Sequence, residues 1–382
     1  MIIGAVNGVS FRGKIIDSHL HYGHFKRFDN PNELNMYDNN HLDSFVKAPL
    51  NVNVGGIPQQ DNVEKVIISN LDCLIHNGMK NEFDGNKSML DFCLNNASYH
   101  PLAVCQPSKT GGNVANINKL LRQYPDKFVG LKFHPRDFNL VADDNKYRPY
   151  MRLAERFQKP CVFHSDVNIN DAGEIVDEIS SPKKIYNLAK MYPDVPVVMA
   201  HMGAGRAPMA HDEAIKVLEE SLTKNDAKLY VDLSWVDWGQ NGLSNSEQPS
   251  VVKLIKMLQE KNATDRVLFG TDAPLGCFGE KLAGGLSPKQ AYEKTVGDLK
   301  TVIKENFGKD SEDLINKIFY KNADDLFFKK EWINVAEDIQ YAPSISKIAL
   351  IAVGAIAGLS TVSYVFNKFF GPKEVQDERF NK

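Results

Sequence analysis

Eight short apolar segments alternate along this chain with stretches that have the spacing of amphipathic helices, and this alternation limits the fold most strongly. Each segment is rich in Val, Ile and Phe, and is short enough for a strand buried on both faces of a parallel sheet. In chain order the segments are KIIDSHLH, VEKVIIS, PLAVCQ, FVGLKFH, PCVFHS, PVVMAHM, KLYVDLS and RVLFGTD.

The stretches between these segments repeat apolar residues at i, i+3, i+4 and i+7, which is one face of an α-helix. Ile117, Leu120, Leu121 and Tyr124 form one such set. A βαβ unit needs about 30 residues or more, which fits the spacing of the later segments. Eight units predict an α/β protein with a (β/α)₈ TIM barrel. A doubly wound open sheet is the alternative, but no Gly-rich phosphate loop follows the first segment.

The composition excludes several classes of function. The 382 residues carry a formal net charge of −3, so no basic excess indicates a nucleic-acid partner. The five cysteines are scattered without a CxxC pair, which indicates reduced thiols rather than a disulfide framework. No charged leader with a long apolar run is seen at the N-terminus, so we expect no secretory signal. These features predict a cytoplasmic catalytic domain over residues 1–328.

The C-terminal region has a different character. Residues 348–366 are nineteen residues without a charge. A helix of that length rises about 28 Å, close to the hydrocarbon thickness of a bilayer. We therefore predict a linker at 329–344, a transmembrane helix within 345–370 that anchors the protein to a membrane, and a short polar tail at 371–382. A buried or surface helix of the globular domain is the alternative.

A long insertion follows the first segment. Residues 22–62 are rich in Asn, Asp, Pro and Gly and show no clean period. Structureless loops of this length are usually functional lids or disordered. Since the insertion follows the first strand, we expect it to lie over the carboxyl face of the barrel, where the active sites of this fold are found.

The first segment contains the sharpest motif, Asp17-Ser18-His19-Leu20-His21. Residues i and i+2 of a strand point the same way, so His19 and His21 should project together into the barrel. Two neighbouring imidazoles are a good start for a divalent metal site. A lone HxH motif is nevertheless common by chance, and surface or core histidines are the plainer interpretation.

Polar residues recur at the ends of later segments. His164 ends PCVFH, His201 ends PVVMAH, and Asp272 follows RVLFGT. The carboxyl ends of barrel strands converge on one mouth, so these side chains should meet the two histidines of the first strand. Imidazole and carboxylate ligands suit zinc, iron(II), manganese or cobalt. Separate hydrogen-bonded core residues are the alternative.

Together these motifs resemble the amidohydrolase superfamily. FGTDAP at 269–274, GLKFHP at 130–135 and the late Asn322-Ala323 with Leu326-Phe327 are similar to its amidohydrolase-related branch. That branch holds metal-dependent hydrolases and decarboxylases similar to aminocarboxymuconate-semialdehyde decarboxylase. The resemblance covers about residues 14–328, and it does not extend to the apolar C-terminal segment.

The resemblance implies a role for each matching position. His19, His21, His164 and Asp272 would hold one divalent ion, with zinc expected first. His201 would lie beside the metal and polarise the substrate or move a proton. Asp272 would also act as the catalytic base, because a carboxylate beside a metal-activated water can accept its proton and pass it to a leaving group.

Several further residues are candidate substrate contacts. Lys132 ends the fourth segment, where two-metal relatives place a carboxylated lysine that bridges a second metal; pairing with a substrate carboxylate, Asp232 or Asp272 is the alternative. His134 should share its face. Arg136 and Arg206 could hold a substrate anion, although surface ion pairs are an equal interpretation. Trp235 could line an apolar pocket or pack under a loop.

Three functions follow from these residues. The leading prediction is hydrolysis of a C–N or C–O bond in a small-molecule substrate. The second is non-oxidative decarboxylation of a carboxylate, which uses the same ligands. The third is a membrane-tethered binding protein that has lost turnover, and the presence of all five site residues argues against it. A homo-oligomer is compatible with each of them.

Overall fold

The computed structural model describes residues 12–23, 40–74, 82–107, 114–169, 175–203, 208–236 and 249–328. The strands in these ranges are β1 (Arg12–Tyr22), β2 (Leu50–Val54), β3 (Ile57–Asn70), β4 (Tyr99–Val104), β5 (Gly130–Phe133), β6 (Cys161–Phe163), β7 (Asp166–Ile169), β8 (Ile175–Ser180), β9 (Pro196–Met199), β10 (Lys228–Asp232) and β11 (Val267–Leu268).

Eight of these strands form a nearly closed parallel barrel in the order β1-β3-β4-β5-β6-β9-β10-β11. Backbone hydrogen bonds join its two ends: Ser18 N donates to Phe269 O at 3.0 Å, and Asp272 N donates to His19 O at 2.8 Å. The predicted barrel is therefore present, and each predicted apolar segment contributes one of its strands.

Helices follow the barrel strands and pack around them. They are α1 (Asn40–Val46), α2 (Glu82–Leu94), α3 (Val114–Gln123), α4 (Arg148–Phe157), α5 (Pro182–Ala189), α6 (Pro208–Lys224), α7 (Ser250–Glu260), α8 (Gly276–Ala283), α9 (Pro288–Phe307), α10 (Ser311–Asn316) and α11 (Asn322–Phe327). A π-helical segment, Lys317–Lys321, joins the last two. The periodic set predicted from the sequence falls on α3, where Ile117, Leu120 and Leu121 are fully buried. Ile185 of α5 and Val251 of α7 are fully buried in the same way.

The hydrophobic core has two parts, because alternate residues of each barrel strand point to opposite faces of the sheet. The barrel interior holds Ile16, Ile67, Leu102, Val129, Val162, Val198, Ala200 and Leu268, and these pack against Ala323, Leu326 and Phe327 of α11. The opposite faces of the strands pack under the outer helices. Asn322 donates to the carbonyl of Val267, the first residue of β11. The helix α11 therefore closes the amino end of the barrel and leaves the carboxyl end for the site.

The expectation of a structureless lid over residues 22–62 was wrong for its second half. Residues 40–46 form α1, and β2 pairs antiparallel with β3 through a turn at Gly55 and Gly56. Both glycines have positive φ, as a two-residue hairpin turn requires. Alternating Leu50, Val52 and Val54 are buried, a strand pattern too short to stand out in the sequence. Residues 24–39 lie outside the described ranges.

The hairpin also lies away from the predicted position. Leu50 pairs with Asp61, which pairs in turn with Gly13 near the start of β1. The turn and strand β2 bond to α9, where Gly55 N donates to Thr301 Oγ1 at 2.9 Å. The hairpin therefore sits at the amino ends of β1 and β3 and does not cover the carboxyl face.

Two further expectations concern thiols and the membrane. The four cysteines whose side chains are described, Cys73, Cys93, Cys105 and Cys161, are buried, and none of them is in a disulfide. Across the described ranges, no helix combines the length and apolar character needed to cross a bilayer. The predicted linker, transmembrane helix and polar tail, at 329–344, 345–370 and 371–382, all lie outside those ranges.

Candidate active site

Buried polar side chains from six barrel strands meet at the carboxyl end of the barrel. They are His19 and His21 of β1, Lys132 of β5, His164 after β6, His201 after β9, Asp232 of β10 and Asp272 after β11. Each is at most 9% exposed. Buried polar groups need partners, so the contacts among these residues determine what the cluster can bind.

The HxH motif and Asp272 form one of two groups among the described residues that could hold a metal ion, and His19, His201 and Asp232 form the other. His21 Nε2 lies 2.9 Å from Asp272 Oδ1, and His19 Nε2 lies 3.5 Å from the same oxygen. One ligand atom from each of the three residues lies within 4.8 Å of the others. The other ring nitrogens have their own partners: His19 Nδ1 is 2.9 Å from Asp232 Oδ2, and His21 Nδ1 is 3.0 Å from Ser69 Oγ. Two imidazoles and a carboxylate, oriented in this way, fit a divalent cation.

The backbone around Asp272 is held by a second carboxylate. Asp272 has a positive φ of 58°. Its neighbour Thr271 donates through both N and Oγ1 to Asp17, and the hydroxyl of Tyr292 donates to Asp17 at 3.0 Å. Burial raises the pKa of Asp17 to about 7. Asp17 thus ties β1 to the loop that presents Asp272 and to helix α9.

The charges of the cluster suit metal binding. Burial alone would raise the pKa of Asp272, but His201 and His21 outweigh burial and hold that pKa below its ordinary value. Burial lowers the pKa of His21 to about 4, and its hydrogen bond with Asp272 offsets this only in part. At neutral pH the group therefore combines a carboxylate with a neutral imidazole, the protonation states that a metal requires.

Lys132 lies against the same group. Its Nζ is 2.8 Å from His19 Nε2. Burial lowers the pKa of Lys132 to about 8, although Asp232 and Asp272 favour its charged form. A lysine with a lowered pKa loses its proton more readily when a cation binds beside it. Both sequence interpretations of Lys132, a bridge to a second metal or a partner of a carboxylate, require this position inside the cluster.

His164 and His201 form an adjacent pair. His201 Nε2 is 3.2 Å from His164 Nδ1, and the ring of His201 stacks on that of His19 with centroids 4.7 Å apart. The second nitrogen of His164, Nε2, is 3.4 Å from Asp166 Oδ2. Of the four expected ligands, three are therefore grouped, whereas His164 faces His201 and Asp166. His201 lies beside the group, stacked on His19.

The candidate substrate contacts surround this pair. The ring of His134 stacks on His164 with centroids 3.9 Å apart, and Arg136 Nε donates to Asp166. Trp235 meets the edge of His201 at 5.8 Å. Arg206 lies outside the described ranges. His134, Arg136 and Trp235 therefore lie on the side of the cluster formed by His164 and His201.

The contacts of Asp232, Ser234 and Asp166 within the site were not predicted from the sequence. Asp232 was expected only as an alternative partner of Lys132, and Ser234 and Asp166 had no predicted role. Ser234 Oγ lies 3.0 Å from His19 Nδ1 and 2.8 Å from His201 Nδ1. The sequence VDLS could have indicated these contacts. Asp232 and Ser234 are two residues apart at the end of a strand, as His19 and His21 are.

Comparison with known proteins identifies the family. The family model described as amidohydrolase matches residues 112–329, which is more than half of the chain. This chain belongs to the amidohydrolase family. The matched region contains His164, His201 and Asp272, whereas His19 and His21 precede it. None of the curated proteins matches the chain.

Solved structures share the fold of this amidohydrolase. A 5-carboxyvanillate decarboxylase from Sphingomonas paucimobilis has a TM-score of 0.51 at 12% identity, covering 82% of this chain and 98% of its own. The 5-carboxyvanillate decarboxylase from Novosphingobium aromaticivorans, complexed with manganese and a nitrobenzoic acid, has a TM-score of 0.51 at 13% identity. The match covers 84% of this chain and 97% of that one. A probable 2-pyrone-4,6-dicarboxylic acid hydrolase from Acinetobacter baumannii has a TM-score of 0.50 at 15% identity. The match covers 82% of this chain and 98% of that one.

Proposed function

We propose that this amidohydrolase is a metal-dependent hydrolase that cleaves a C–N or C–O bond in a small-molecule substrate. The observation that supports this most directly is that His19, His21 and Asp272, all buried, each place one ligand atom within 4.8 Å of the others. His164 would complete the ligand set after a rotation of its ring away from Asp166. Zinc is the expected ion, with manganese, iron(II) and cobalt as alternatives.

The protein side of the reaction follows from the contacts. A divalent cation held by His19, His21 and Asp272 would supply a water of lowered pKa and a Lewis acid for the substrate carbonyl. Asp272, held as a carboxylate, accepts a proton from the attacking water and delivers it to the leaving nitrogen or oxygen as the scissile bond breaks. His201 hydrogen-bonds the substrate oxygen, and Ser234 orients its ring. His134, Arg136 and Trp235 would line the substrate site, and Arg206, which lies outside the described ranges, stays a predicted substrate contact.

Decarboxylation is the second candidate because Lys132 places a buried cation 2.8 Å from His19 Nε2. Such a group can hold the carboxylate that leaves as CO₂, and two of the structural neighbours are named as decarboxylases. A second metal bound through carboxylated Lys132 would give a stoichiometry of two ions per chain instead of one.

A substrate panel tests the two reactions. Protein purified without chelator is analysed for metal, stripped, reloaded with each ion, and supplied with amides, lactones and hydroxybenzoates. We expect the metal-loaded protein to release acid from a substrate, the stripped protein to release none, and neither to release CO₂. His21→Gln should abolish both metal binding and acid release, because its Nε2 faces Asp272. CO₂ release alone would establish the decarboxylase, and no turnover with a bound ion would favour the binding protein.

His100→Gln is the matched control for this variant. His100 lies at the opposite end of the barrel, where its ring packs on Phe328 with centroids 4.7 Å apart. It should retain the metal and the activity, so a loss in both histidine variants would indicate damage to the fold rather than to the site.

The localisation forms a separate part of the proposal. The uncharged residues 348–366 would anchor the catalytic domain to a membrane from its cytoplasmic side. Full-length protein should then sediment with membranes and be released by detergent, while residues 1–328 alone should not. If full-length protein stays in the supernatant without detergent, the proposed membrane anchor is contradicted.

A further inference from the structure

Asp232 makes hydrogen bonds with three residues of the cluster. Its side chain is fully buried at the end of β10. One oxygen, Oδ1, accepts from His201 N at 2.9 Å, from Ser234 N at 3.0 Å and from the Ser234 hydroxyl. The other oxygen, Oδ2, lies 2.9 Å from His19 Nδ1. The three donors on Oδ1 fix the carboxylate plane, so Oδ2 is held against the His19 ring.

These contacts determine which nitrogen of His19 carries the proton. A carboxylate is only an acceptor, so His19 Nδ1 must donate to Asp232. On the other side of the ring, Lys132 Nζ lies 2.8 Å from His19 Nε2, and an ammonium can only donate. Both partners therefore require the same tautomer, with the proton on Nδ1 and a lone pair on Nε2.

His21 provides a contrast within the same motif. Its Nδ1 faces the hydroxyl of Ser69, which can either donate or accept. Its Nε2 faces Asp272 at 2.9 Å and therefore carries the proton when no cation is bound. His21 can exchange tautomers as a cation arrives, whereas His19 is already held in the binding form.

We propose that Asp232 is a positioning residue that locks His19 in the tautomer able to bind a cation, and so sets the metal affinity of the site. This rests on the proposed function only for its catalytic consequence. Asp232 acts through His19 and does not touch the substrate. Carboxylates that orient a ligating histidine typically contribute about 10- to 100-fold to metal affinity.

Asp232→Asn tests the proposal sharply because the two oxygens of Asp232 have different partners. The amide oxygen of Asn should take the place of Oδ1, where three donors need an acceptor. The NH₂ group then faces His19 Nδ1, which must become the acceptor. The proton moves to Nε2 and occupies the lone pair that a cation needs.

The first measurement is ¹⁵N NMR of the histidine rings in metal-free protein, with His19 assigned from a His19→Gln spectrum. We expect the wild type to show His19 protonated on Nδ1 and His21 on Nε2, and Asp232→Asn to show His19 protonated on Nε2. A wild-type His19 protonated on Nε2 would overturn the proposal without any variant, should Asp232→Asn fail to fold.

The second measurement is calorimetric titration with Zn²⁺ or Co²⁺ alone. Affinity should fall about 10- to 100-fold in Asp232→Asn. Asp265→Asn, the same change on an aspartate whose side chain is 60% exposed, is the matched control and should leave both the Nδ1 proton of His19 and the metal affinity unchanged. An affinity within twofold of wild type in Asp232→Asn would refute the positioning role. If tautomer and affinity shift as expected but no substrate is turned over, the proposed function fails and this inference stands.

Discussion

Replacing Asp272 by Asn is expected to lower kcat/KM by about 10²- to 10⁴-fold, the range for loss of a positioned acid–base group. Asp272 Oδ1 lies 2.9 Å from His21 Nε2 and 3.5 Å from His19 Nε2, so the change removes both the negative charge from the ligand group and the proton acceptor. Steady-state kinetics on the substrate found in the panel measure the first effect, and metal titration measures the second.

The fold should survive this substitution. The backbone bond from Asp272 N to His19 O at 2.8 Å does not depend on the side chain, and Asn tolerates a positive φ about as well as Asp. Asp265→Asn, on an aspartate whose side chain is 60% exposed, is the control for the change in charge. Activity within threefold of wild type in Asp272→Asn would remove Asp272 from the reaction.

Replacing Phe45 by Ala is expected to destabilise the protein by about 3–5 kcal/mol, the usual cost of truncating a buried aromatic residue. Phe45 is fully buried on α1, stacks on Tyr292 with centroids 4.2 Å apart, and meets the edge of Phe278 at 5.8 Å. The truncation leaves a cavity beneath α9. Urea unfolding followed by circular dichroism measures the loss.

This variant also separates two descriptions of residues 40–62. In a structureless lid, Phe45 would be solvated and its truncation would cost almost nothing. Leu94→Ala is the control, because Leu94 is 52% exposed and surface substitutions are usually within about 0.5 kcal/mol. Equal unfolding midpoints for the Phe45 and Leu94 variants would contradict the packing of α1. Since Tyr292 donates to Asp17, a small loss of activity should accompany the loss of stability.

Most of the barrel could be predicted from the sequence because its signals are local and repeated. Buried parallel strands must be apolar along their whole length, so segments such as PCVFHS and PVVMAHM stand out. The hairpin of β2 and β3 was missed because Leu50, Val52 and Val54 alternate over only five residues, within a stretch dominated by loop-forming residues. Its stability comes from α9, which lies more than 200 residues later in the chain.

The candidate site divides in the same way. Strand ends of a barrel converge, so the sequence could predict that His19, His21, His201 and Asp272 lie near one another. It could not predict the direction of the His164 ring, because His201 and His134, which are distant in the chain, set that direction together with Asp166. Nor could it predict the role of Asp232, since an aspartate at a strand end has many uses.

By itself, the sequence determined the number of barrel strands, the position of the polar site residues at the carboxyl ends of those strands, and the family of the protein. These features depend on the order and periodicity of residue types. The tertiary structure alone decided which nitrogen of each histidine faces the pocket and which carboxylate holds it. Those choices depend on hydrogen bonds between residues such as His19 and Asp232, which are 213 positions apart. Only the closed ring of strands brings such residues to within 3 Å.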